Sequence, residues 1–147
     1  MSRCVAQTPR ALKPVMAMFP VAPESVREAR AFVRWTLAAW DLPDLKDDAQ
    51  VIVSELAGNA VAAWLAEDAD EDDRVRVDVS LDPDCLVIGV SDRSEKNIRI
   101  DQEPDAMDES GRGLLIARCL AEVGSDRSHG VKRVWARLPV NATKNRI

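Results

Sequence analysis

No stretch of this chain is apolar for the roughly 20 residues that a membrane-crossing helix needs. Arg3, Arg10 and Lys13 near the amino terminus are not followed by the continuous apolar core of a secretory signal. Histidine is nearly missing, with His129 alone, and Cys4, Cys85 and Cys119 form no Cys-x-x-Cys pair. A zinc site is therefore not expected. An odd number of scattered thiols without an export signal reads as reduced, cytoplasmic cysteine. Positive charge is short as well: 20 Lys and Arg stand against 25 Asp and Glu, a net charge of −5. A phosphate backbone wants a basic surface, so direct nucleic-acid binding is not expected. Internal repeats are also lacking.

What is there suits one soluble domain. The 147 residues are 46% hydrophobic and 31% charged, enough for a core of its own. Residues 1–14, with Pro9 and Pro14, read as an N-terminal tail, 15–140 as the domain and 141–147 as a C-terminal tail. Val15 to Phe19 is short, apolar and bounded by prolines, which suits an edge strand. Ala22-Pro-Glu-Ser25 opens a helix with Val26, Ala29, Val33, Leu37 and Trp40 as its buried stripe and Arg27, Arg30 and Arg34 outside. Asp41-Leu-Pro-Asp44 breaks that pattern, and Asp44 is the expected N-cap of a second helix running to about Ala66. Trp35, Trp40 and Trp64 fall on these helices, as core or as a partner-facing seam.

Glu67 to Asp73 holds six acids in seven residues and reads as a solvated loop. Val75, Val77, Val79 and Leu81 alternate with polar residues; so do Leu86, Ile88 and Val90 after the turn at Asp82-Pro-Asp84. This is an antiparallel hairpin with one covered face. Glu95 to Ser110 is a long acidic loop, of a length that is often functional. Gly111-Arg-Gly113 opens a third helix, Leu114 to about Val123, with Gly124 as its C-cap. Val131 to Val140 is a closing strand with Val134, Ala136 and Leu138 inward and Arg133, Trp135 and Arg137 outward. The order β-α-α-β-β-loop-α-β implies an α+β fold: a two-layer sandwich, mostly antiparallel sheet with helices on one face.

The polar residues that disturb this pattern carry the chemistry. Glu55 and Asn59 sit four apart on the second helix and so share a face. A carboxylate and an amide on an apolar helix need a partner, because burying them alone is costly. Asp92 ends a strand, where a buried carboxylate can accept from a purine amino group. A glycine turn at a helix start, Gly111-Arg-Gly113, offers backbone N–H groups to phosphates. An Asn oxygen suits Mg²⁺ held between phosphates, and a neighbouring carboxylate can orient or deprotonate a nucleophile.

In these pieces the chain resembles the histidine-kinase-like ATPases, in the small branch of anti-sigma-factor serine kinases. Ser54-Glu-Leu-Ala-Gly-Asn-Ala60 is similar to that family's N box, Val90-Ser-Asp-Arg-Ser94 to its first glycine box, Glu109-Ser-Gly-Arg-Gly-Leu-Leu115 to its second, and Gly130 to Leu138 to its closing strand. The resemblance implies ATP and Mg²⁺ as cofactors, with Asn59 the metal ligand and Glu55 the catalytic residue, acting as base or orienting the attacking hydroxyl. Asp92 and Ser94 would lie at the base, with Gly111, Arg112, Gly113 and Leu114 around the phosphates. It implies transfer of phosphate from ATP to Ser or Thr of an antagonist protein, binding of a sigma factor, and self-association as a homodimer. Four departures stand out. The first glycine box has no glycine, the position four after Asn59 is Ala63 where relatives often carry a His or another polar residue, the closing strand has no Thr near Gly130, and Glu95 to Ser110, the lid by this resemblance, is acidic. They point to the alternative: a non-catalytic, protein-binding regulator with weak nucleotide binding or none.

Overall fold

The alternation of Val75, Val77, Val79 and Leu81 against that of Leu86, Ile88 and Val90 dictates the middle of the structure. The computed structural model describes residues 12–95 and 121–140. Strands β2 (Arg74–Asp82) and β3 (Cys85–Asp92) pair antiparallel, Val79 opposite Ile88, through the tight turn at Pro83-Asp84. Strand β1 (Leu12–Pro20) lies along the outer side of β2, while β5 (Val131–Pro139) pairs with β3 and β4 (Glu122–Ser128) closes the far edge. The sheet order is β1-β2-β3-β5-β4, and every pairing is antiparallel. β1 is thus an edge strand, as expected, but it runs beyond Val15–Phe19: Pro14 and Pro20 lie within it, and residues 12–14 are strand and not tail.

Two helices cover one face. Helix α1 (Ser25–Ala39) buries Ala29, Val33 and Leu37, with Val26 and Trp40 partly buried beside them and Arg27, Arg30 and Arg34 exposed. It stops at Asp41, which takes a left-handed conformation (φ 57°). The Leu42 N–H bonds back to Leu37 O at 2.9 Å and the Asp41 N–H to Ala38 O at 3.2 Å, so two otherwise orphaned carbonyls are satisfied. Helix α2 (Lys46–Leu65) is buried on more than one side, with Ile52, Val53, Leu56, Ala57, Ala60 and Trp64 in the core. Small residues at Ala49, Ala57 and Ala60 let it lie close to the sheet. The result is an α+β sandwich, helices on one face of an antiparallel sheet. No described helix is long and apolar enough to cross a membrane.

Three expectations are corrected. Asp44 lies in a short 3₁₀ turn (Pro43–Leu45), and α2 begins after it with Leu45 at the N-cap position and no side-chain cap bond. Residues 122–124 are not the end of a helix: Glu122 and Val123 begin strand β4. Gly124 is not a C-cap but a strand residue opposite Trp135, and a Cβ there would collide with the Trp135 ring. The absent side chain makes room for the indole on the open face. The body of the expected third helix lies outside the described residues. Of the helix tryptophans, Trp64 is core, Trp40 is partly buried, and Trp35 is 70% exposed, so it is no core residue.

The hairpin joining β4 to β5 turns on His129 (φ 53°) and Gly130 (φ 77°), with Ser128 opposite Val131. Two consecutive left-handed residues match the twist of the flanking strands. This two-residue turn sets which β5 side chains face the helices.

Candidate functional site

The inward phase of β3 runs Leu86, Ile88, Val90 and then Asp92. That of β5 runs Lys132, Val134, Ala136 and Leu138. Register places Asp92 directly opposite Lys132, so an acid and a base lie side by side where the apolar inner face ends. On α2 the spacing of Leu56, Asn59 and Ala60 turns the three toward the same place. Together Leu56, Asn59, Ala60, Asp92, Lys132 and Val134 line one pocket.

Both charges are withdrawn from water: Asp92 is 2% exposed and Lys132 3%. Asp92 Oδ1 accepts the backbone N–H of Ser94 at 2.7 Å. Lys132 Nζ donates to Ser94 Oγ at 3.0 Å and stands 3.7 Å from Asp92 Oδ2. Oδ2 itself accepts no hydrogen bond. Burial pushes the Lys132 ammonium below the usual lysine range, against the carboxylate of Asp92, which supports the charge. Arg127 pushes the same way as burial, and Glu67 opposes it.

The segment leaving β3 is tied down from two sides. Arg127, on β4, donates to Ser94 O at 3.0 Å and to Glu95 O at 3.4 Å. Glu67, just past α2, accepts the Glu95 N–H at 2.7 Å. Asp92 is therefore held in place by backbone on one oxygen and left open on the other.

Asn59 and Asp92, distant in sequence, thus meet in one pocket. Ser94 is fully buried behind Asp92 and supports it rather than lining the pocket. Glu55 is half-buried one turn before Asn59 on α2 and is not among the lining residues. Gly111, Arg112, Gly113 and Leu114 lie outside the described residues, as do most of the Glu95 to Ser110 loop and residues 1–11 and 141–147. Lys132 is the residue that sequence reasoning missed. Its signal was the alternation of β5: counting back in twos from Leu138 puts residue 132 inward, where a lysine needs a reason.

The lining of the pocket has three chemical features. A buried carboxylate oxygen without a donor is open to an amino group. Leu56, Ala60 and Val134 give an apolar wall for a ring. The Asn59 amide supplies a neutral oxygen of the kind Mg²⁺ accepts. Among the described residues two more buried polar atoms lack a partner, Arg76 Nε and Ser91 Oγ, but both fall on the outward phase of the sheet, away from this pocket.

Comparison with known proteins bears on the fold and the family. The chain is similar over 92% of its length to 94% of a chain in the crystal structure of the SiaB-SiaC complex from Pseudomonas aeruginosa, with a TM-score of 0.65 and 17% identity. At that identity the likeness concerns the fold. No curated protein matches in sequence. Residues 19–138 match the Histidine kinase-like ATPase domain, a span that takes in both described helices, strands β2 to β4, β5 up to Leu138, the last two residues of β1 and every residue of the pocket. The chain belongs to the histidine kinase-like ATPase domain family.

Proposed function

We propose that this protein is an ATP-binding regulator of the anti-sigma-factor type, passing phosphate from ATP to a Ser or Thr of an antagonist protein and binding a sigma factor. The observation that carries the reading is the meeting of Asn59 and Asp92 in one pocket, with Asp92 Oδ2 buried and without a donor. Domains of this family bind ATP, generally with Mg²⁺. Bound there, ATP supplies the phosphoryl group and Mg²⁺ offsets its charge. Asp92 Oδ2 accepts the base amino group, and Ser94 N–H fixes the carboxylate that does so. Asn59 offers its side-chain oxygen to the metal. Glu55, one turn away, orients the attacking hydroxyl or takes its proton. Gly111, Arg112, Gly113 and Leu114 are assigned to the phosphates by their motif.

A partner protein is part of the reading. The similar structure is a complex of SiaB with SiaC, which supports a role exercised through protein contact. A homodimer is assigned on the family resemblance alone, and light scattering at micromolar concentration tests it.

The second reading, a non-catalytic protein-binding module, is favoured by one observation: Lys132 already stands beside Asp92. Calorimetry with ATP and Mg²⁺ decides first. Binding that needs Mg²⁺ and is lost in Asn59→Ala supports the nucleotide reading; absence of binding moves the function to a protein partner. Glu55→Ala then separates the two roles. A kinase loses phosphorylation of its antagonist and keeps the partner complex, whereas a binding module is little changed.

A further inference from the structure

We propose that Lys132 is a built-in competitor of the nucleotide base: it holds the Asp92 carboxylate that the base needs, so a nucleotide binds only in exchange for that ion pair. The inference rests on the nucleotide reading of the pocket and adds a control on it.

The carboxylate has one oxygen to give. Oδ1 is committed to the Ser94 N–H at 2.7 Å. A ligand amino group must therefore use Oδ2, which stands 3.7 Å from Lys132 Nζ. A hydrogen-bond donor carries its positive end toward the acceptor. Lys132 sets a full positive charge beside that approach, in a place where screening is weak because both side chains are almost completely buried. Lys132 also lines the pocket itself.

The lysine has somewhere to go. Glu67, past the end of α2, already acts on it electrostatically and favours its charged form. Four rotatable bonds let the ammonium trade the neighbourhood of Asp92 for that of Glu67. An arginine in a two-point grip would be harder to displace. The contact with Asp92 is long, 3.7 Å to one oxygen, while the ammonium's 3.0 Å hydrogen bond goes to Ser94 Oγ. Among the described residues, the charged groups that bear on the ammonium are Asp92 on β3, Arg127 on β4 and Glu67 after α2, and Ser94 Oγ accepts its hydrogen bond.

The test is calorimetry of ATP with Mg²⁺ on the full chain and on Lys132→Gln, Lys132→Thr and Asp92→Asn, with circular dichroism of each. We expect both lysine variants to bind about tenfold tighter than the parent, the scale of one charge-assisted contact no longer displaced, and Asp92→Asn to lose binding. Parent binding with both lysine variants unchanged or weaker overturns the competitor role and leaves the nucleotide reading standing. No binding by the parent or by either lysine variant overturns both. Should the lysine variants fail to fold, the parent alone decides. Its affinity must rise as pH climbs toward 10.5 and Lys132, held below that value by burial, sheds its proton; a flat profile overturns the competitor role.

Discussion

Lys132 and Arg133 are neighbours in sequence, yet they form ion pairs on opposite faces of one sheet, and the two pairs are built differently. On the open face Arg133 reaches across β3 to Asp78 and grips both oxygens, at 2.7 Å through Nη2 and 3.2 Å through Nε. Gly89 lies beneath it, and a Cβ there would come within 2.5 Å of the guanidinium. On the inner face Lys132 approaches one oxygen of Asp92 at 3.7 Å and leaves it without a hydrogen bond. A planar fork satisfies a carboxylate and fixes it; a single ammonium on a flexible stem does neither. The outer pair is a strut across three strands. The inner pair leaves one buried carboxylate oxygen without a hydrogen bond, so the same two chemistries give a fixed contact on one face and a looser one on the other.

The strongest way to break this contrast is to remove one inner partner. Asp92→Asn leaves a buried ammonium without its counterion, and loss of one member of a buried pair costs about 3–5 kcal/mol. Urea denaturation should show a loss of that order. A loss under about 1 kcal/mol, the range of exposed pairs, would mean that the inner pair matters no more than a surface contact. The outer pair is tested through its floor. Gly89→Ala should cost about 1–3 kcal/mol by forcing the guanidinium aside, and the cost should largely vanish in an Arg133→Ala background. Additive losses would show that Gly89 serves something other than Arg133.

The smallest effect is in pH. Burial holds Lys132 below the ordinary value of 10.5 in the folded chain. The unfolded chain therefore binds more protons, and stability rises with pH wherever that is so. The burial penalty is in full force below the lowered value and fades as pH climbs toward 10.5. The urea midpoint of the parent should gain on that of Lys132→Met between pH 8 and pH 10. Parallel profiles would show that Lys132 keeps an unperturbed proton.

Most of the fold was legible because its signals are periodic. Val75 to Leu81 alternates, α2 repeats small and apolar residues, and Val134, Ala136 and Leu138 mark the covered side of β5. Strand β4 was not legible. Glu122-Val-Gly-Ser-Asp-Arg-Ser128 has a single large apolar residue, no buried member and a glycine. It is a strand because β5 offers it a ladder, a tertiary cause that propensity does not contain. At the site, Asn59 and Asp92 could be read as pieces of motifs. Lys132 could not, because the family motif has a hydroxyl in this region and gives a lysine no role. Only the count of residues from the core to position 132 reveals that its side chain turns inward.

The His129-Gly130 turn gives that count an unexpected reach. In a strand, odd and even positions serve opposite faces, so a shift by one residue exchanges them. One codon gained or lost at this turn, with β4 held in place, would send Arg133 toward the pocket and Lys132 to the open face. The chemistry beside Asp92 would then change without any substitution at the pocket. A turn that touches no ligand thus acts as the reading frame of the site, and its length is as much a part of the site's specification as the identity of Lys132.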